Sequence, residues 1–142
     1  MHKTECGLLI KQISDQISKT SNNELREDNI TLSQLRCLEY IHENPKEKVP
    51  LKEIEAHFHI SQPTLAGLIS RLCQKGMVVT ETSEINSRAK TVSLTHAGKD
   101  LFLKFDERRD LMENSLLNTL TDTEKQTFYE LLIKVHNGLK NV

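Results

Sequence analysis

The segment His57-Phe58-His59-Ile60-Ser61-Gln62-Pro63-Thr64-Leu65-Ala66-Gly67-Leu68-Ile69-Ser70-Arg71-Leu72-Cys73-Gln74-Lys75-Gly76 carries the signals from which the fold follows. Ser61 can accept a hydrogen bond from a free helix N–H, so it is predicted to open a helix. Pro63 falls in the first turn, where its missing N–H costs nothing, and Ile60 and Leu65 stand where a hydrophobic staple closes. Leu65, Leu68, Ile69 and Leu72 recur at helical spacing as a buried stripe, and Gly76 follows Lys75 where a left-handed residue ends a helix. Just upstream, Pro50 precedes a shorter helix over residues 51–58 with Leu51, Ile54 and Phe58 on one side. The corner between the two falls within residues 57–60, too short for anything but a tight turn, and His is among the few non-Gly residues enriched at positive φ. Two helices so joined make a helix-turn-helix.

Beyond Gly76 the period changes from about four to two. Met77, Val78, Val79 and Thr80 favour a strand, and Thr91-Val92-Ser93-Leu94 alternates polar with apolar. The polar residues 81–90 between them, with Asn86 and Ser87 near the tip, make a hairpin, and a hairpin directly after a helix-turn-helix is a wing. On the other side, Thr31 and Gln34 form a capping box with Ile30 and Leu35 as staple, opening a helix over 32–42 that turns Leu35, Leu38 and Ile41 inward and stops before Pro45. Thr95 caps a long helix over 95–118, and Thr121 with Glu124 opens a last one striped by Phe128, Leu131, Leu132, Val135 and Leu139. Leu9, Ile10, Ile13 and Ile17 give the N-terminal segment an apolar face, while the polar residues 18–24 leave their helicity open.

The expected fold is therefore mostly α with a small β-hairpin. It is a single domain, 1–142, holding a winged helix-turn-helix at 31–94, with helical dimerisation regions at 1–30 and 95–142. The amphipathic termini exceed what the central unit covers, which predicts a homodimer.

Composition narrows the function. Nineteen Lys and Arg against twenty Asp and Glu leave a net charge of −1, so any nucleic acid must be met locally rather than by a global field. The longest apolar run, residues 6–10, is far too short for a bilayer span or a secretory signal, so a cytoplasmic protein without a membrane partner is expected. Cysteines 6, 37 and 73 form no short pair and are read as reduced thiols. The five glycines stand singly, which disfavours nucleotide binding, and the absence of HExxH, GxSxG or a P-loop predicts no enzyme and no cofactor.

Residues 56–80, 25 in number, contain no Asp or Glu although 20 of the 142 residues are acidic. This window covers the second helix of the motif, whose solvent face carries Ser61, Gln62, Thr64, Ser70, Arg71, Gln74 and Lys75. Ser, Gln and Thr can bond base edges or phosphate, first-turn N–H groups favour a phosphate, and Lys and Arg neutralise the backbone. Arg88 and Lys90 supply a second cationic point on the wing, where Arg can enter a minor groove, while Glu81 and Glu84 nearby oppose a phosphate. Double-stranded DNA is the expected partner. The competing class is a winged helix used as a protein-interaction module.

Ile60-Ser61-Gln62-Pro63-Thr64-Leu65, Arg71-Leu72, Lys75-Gly76, the run from Asn86 to Thr95, and Gly98 together resemble the MarR family of winged helix-turn-helix regulators, over roughly residues 5 to 140. The resemblance implies a homodimer joined through its first and last two helices. It implies major-groove readout by the helix that starts at Ser61 and minor-groove contact by Arg88; Ser61, Gln62, Pro63 and Thr64 are then expected to meet DNA at the helix start, with Lys90 and Arg71 nearer the phosphates. It also implies a repressor released from a pseudo-palindromic operator by a small molecule, metal or oxidant. Asn86 stands where the family usually has Asp, so any pairing with Arg88 is neutral.

Three sensors follow from that reading. Cys6 lies near the place of the reactive cysteine in peroxide-sensing members, but Leu32 and Leu35 replace the tyrosines expected beside it. His57, His59 and Cys73 lack the spacing of a metal site. An organic effector near Ile13, Ile17, Leu38, Ile41 and Phe102 is the third, at positions that also suit a plain core.

Overall fold

The computed structural model describes residues 5–82 and 89–140. Its elements run α1 (Cys6–Glu27), α2 (Leu32–Glu43), β1 (Val49–Pro50), α3 (Leu51–Phe58), α4 (Gln62–Gln74), β2 (Val78–Thr82), β3 (Lys90–Leu94), α5 (His96–Leu116) and α6 (Asp122–Leu139). Local chemistry starts four of the helices. At α2 the Gln34 N–H donates to Thr31 Oγ1 at 3.1 Å and the Thr31 N–H donates to Gln34 Oε1 at 3.2 Å, which completes the expected capping box. Thr121 and Glu124 do the same for α6 at 3.2 and 2.9 Å. Ser61 caps α4 and Thr95 caps α5, each accepting from the backbone N–H three residues on.

The polar residues 18–24 are helical. The last turn of α1 carries buried Leu25, and the chain leaves through Asn29 at φ 53°, so tertiary anchoring rather than local pattern extends the helix. α5 stops at Leu116, two residues short of the expected end, in a turn closed by Leu120 N–H donating to the Leu117 carbonyl.

The wing hairpin is part of a three-stranded antiparallel sheet in the order β1-β3-β2. β2 and β3 pair from Val78 opposite Leu94 to Thr82 opposite Lys90, and the added strand sets Val49 opposite Val92. Pro50 is tolerated because it lies in a two-residue strand at the sheet edge, where no further partner needs its missing N–H.

The described chain divides into two compact units, Met1–Phe102 and Leu103–Val142. In the first, Leu38, Ile54, Leu65, Leu72, Val49, Val78, Val92 and Cys37 are almost fully buried, placing the core among α2, α3, α4 and the sheet. Gln34 is the buried polar side chain there, held by its capping bond. The second unit holds the rest of α5 and all of α6. There Phe105 is buried with the Arg108 guanidinium 5.3 Å from its ring centre, whereas α6 buries no residue.

Candidate nucleic-acid interface

The corner of the helix-turn-helix rests on His59, which adopts φ 53° and ψ 43°. This left-handed residue ends α3, and the N–H groups of His59 and Ile60 both donate to the Glu55 carbonyl. Two residues later Ser61 returns to extended geometry and starts α4. Ser61 Oγ accepts from the Thr64 N–H at 3.3 Å and donates to Thr64 Oγ1 at 2.9 Å, so its hydroxyl is engaged in building the helix start.

That engagement thins the anion site expected from first-turn N–H groups. Pro63 has no N–H, Thr64 gives its own to Ser61, and Gln62 remains as the first-turn donor not taken up among the described residues. The tip of α4 therefore offers side chains more than a backbone cradle. With no acid in the first turn, nothing there repels a phosphate.

Along its length α4 is cleanly two-sided. Leu65, Ile69 and Leu72 are buried and Leu68 half-buried, while Gln62, Pro63, Thr64, Ala66, Gly67, Ser70, Arg71 and Gln74 are exposed. Thr64, Gly67 and Arg71 follow one another at helical spacing on one exposed face. They line a groove of about 620 Å³ whose other wall includes Ser33 and Arg36 of α2. Arg36 was not singled out in the sequence. It lies 35 positions before Arg71, and only the packing of α2 beside α4 brings the two cations to one groove.

Lys75 departs from the solvent-face expectation. Its ammonium turns inward to donate to the Asn29 carbonyl at 2.5 Å and to Gln34 Oε1 at 2.8 Å. On the sheet, Lys90 is exposed at the start of β3. Glu81, expected to oppose a phosphate, is met by Lys48 Nζ at 2.8 Å, and this hydrogen bond and charge raise the Lys48 pKa. Arg88, with Asn86, Ser87 and Glu84, lies outside the described residues.

Of the sensor candidates, Cys6 is exposed at the first position of α1. Cys37 is fully buried, and burial pushes its thiol up to about 12. Leu38, Ile41 and Phe102 are core, with the Phe102 ring 4.7 Å from that of His42, whereas Ile13 is exposed. Among the described residues no three His, Cys, Asp or Glu side chains converge to hold a metal ion, and no helix is long and apolar enough to cross a membrane.

Residues 28–89, the helix-turn-helix and the start of the wing, match the MarR family. The whole chain is similar in fold to S. aureus MepR. A point mutant of MepR superposes with a TM-score of 0.83 at 23% identity, over 94% of this chain and 98% of that one. A MepR–DNA complex gives 0.81 at 23% identity over 94% and 98%. MepR bound to ethidium bromide gives 0.77 at 22% identity over 98% and 99%.

Proposed function

We propose, from the match of residues 28–89 to the MarR family of winged-helix regulators, that this chain is a dimeric, sequence-specific DNA-binding transcription regulator, a repressor released from a pseudo-palindromic operator by a small molecule. The observation that carries the reading is the exposed, acid-free face of α4, projecting from a turn that His59 fixes. A rod of that kind fits a major groove. Gln62, Pro63 and Thr64 meet base edges and sugar-phosphate at its tip, with Ser61 shaping the helix start. Arg71 and Lys90 neutralise phosphates, Arg36 joins them across the groove, and Arg88 serves the adjacent minor groove.

Two further features support the finer reading. Phe128, Leu131, Leu132, Val135 and Leu139 form an uncovered stripe on α6, and Leu8, Leu9, Ile10 and Ile13 are exposed on α1, as an isologous interface requires. The fold is shared with a protein seen both on DNA and with ethidium, which supports a duplex and a small organic molecule as alternative ligands.

The test is fluorescence anisotropy with a random duplex across a salt series, followed by selection of bound sequences from a random pool. The regulator reading expects binding that falls steeply with salt, and a selected site of two half-sites about 10 base pairs apart or a multiple of that. No binding at any salt would favour the protein-interaction module instead.

A further inference from the structure

The inward turn of Lys75 is not explained by a role at the DNA surface. Lys75 is the C-cap residue of α4, and its ammonium bridges two acceptors far away in sequence. The first is the Asn29 carbonyl, in the turn that ends α1, where a helix C-terminus attracts a cation. The second is Gln34 Oε1, the oxygen that also accepts the Thr31 N–H in the capping box of α2. One ammonium thus joins the end of α1, the start of α2 and the end of α4. Gln34 is 3% exposed, so the acceptor end of this charge-assisted bond is shielded from water, while the half-exposed Lys75 reaches it from the surface.

The same end of α4 is fastened on its other side. Thr95 Oγ1 donates to the Gly76 carbonyl at 2.6 Å, and the Thr95 N–H donates to the Met77 carbonyl at 3.0 Å. These bonds hold the α4–β2 turn against the start of α5. Lys75 is the link toward α1 and α2.

We propose that Lys75 is a positioning residue for DNA binding: it sets the angle of α4 against the α1–α2 turn and makes no phosphate contact of its own. The inference rests on the DNA-binding reading above. It separates Lys75 from Arg71 and Lys90, which that reading places on phosphates.

The two roles differ in an observable way. A lysine that neutralises a phosphate adds about one unit to the slope of log affinity against log salt, whereas a lysine that acts inside the protein adds nothing. The experiment measures duplex affinity across a salt series for wild type, Lys75→Met, Gln34→Met, the double variant and Lys75→Arg, with thermal melts to identify folded proteins. The expected result for Lys75→Met is a loss on the order of tenfold in affinity with the salt slope unchanged. The double variant should lose less than the sum of the two single losses, because the Lys75–Gln34 bond is common to both while the Asn29 bond and the Thr31 cap each belong to one. Lys75→Arg keeps the charge and remains folded should Lys75→Met not. A planar guanidinium does not replace a point ammonium between two oxygens, so it too should lose affinity at unchanged slope.

A slope lower by about one unit in Lys75→Met, or full affinity in either Lys75 variant, overturns the proposal. Wild type that binds no duplex at any salt overturns the DNA reading and this inference with it, a result distinct from wild-type binding that the variants leave intact.

Discussion

Replacing Gly98 with alanine sets two effects of known sign against each other. Gly98 is the third residue of α5, and alanine is the better helix former by up to about 1 kcal/mol. At this position, however, a methyl would stand 2.0 Å from the Met77 carbonyl oxygen and 3.0 Å from its carbon, where ordinary contact begins at 3.4 Å. Both partners are backbone, so relief requires the α4–β2 turn and the start of α5 to separate. Separation strains the bond from the Thr95 N–H to that same carbonyl, now 3.0 Å long. Overpacking of this kind costs about 1–3 kcal/mol and a weakened backbone bond about 1 more, so the clash outweighs the propensity gain. The net expectation is a loss of about 2 kcal/mol, or roughly 7 °C in Tm at fixed protein concentration. Gly67→Ala is the control, since no atom lies within 4 Å of the added methyl on the exposed face of α4. There propensity acts alone, and Tm should rise by roughly 3 °C. Thermal unfolding by circular dichroism reads both. A Gly98→Ala variant as stable as wild type would refute the claim that the close approach of α5 to Met77 requires glycine.

Cys37 should resist alkylation at neutral pH while exposed Cys6 reacts, and peptide mass spectrometry with and without urea checks this; native labelling of Cys37 at the rate of Cys6 would contradict it. Between pH 9 and about 12 the folded state keeps a proton on Cys37 that the unfolded chain has released. Stability therefore falls as pH rises through that window, and Cys37→Ala should remove that share of the slope in urea titrations. On α6, Leu132→Lys with Val135→Lys should leave helicity intact because neither side chain is buried, yet abolish self-association by light scattering. A wild-type chain that is already monomeric at micromolar concentration would contradict the dimer.

What was legible in the sequence is what is local. Thr31, Ser61, Thr95 and Thr121 each cap a helix through a side chain that reaches three residues ahead, so four helix starts could be read directly. His59 and Gly76 take up the left-handed conformations that the corner and the helix end demand. The features not read depend on distant partners. β1 exists because Val49 meets Val92, and nothing in Val49-Pro50 alone announces a strand. Lys75 has the composition of a surface lysine, and its acceptors stand 46 and 41 positions away. Arg36 joins the groove for the same reason, through the packing of α2 beside α4. Within the candidate site, residues 61–64 and 71 could be named from one helix and Arg88 and Lys90 from the wing pattern, while Arg36 and the inward turn of Lys75 needed the tertiary arrangement.

The uncovered stripe of α6 bears on turnover. A freshly synthesised copy displays that greasy surface until something shields it, and proteases and chaperones triage such surfaces. If the shield is another copy, survival depends on dosage: sparse copies wait long and are degraded, abundant ones find each other and persist. Steady-state abundance would then rise more steeply than the rate of synthesis, a nonlinearity written into side chains that their own subunit leaves unburied.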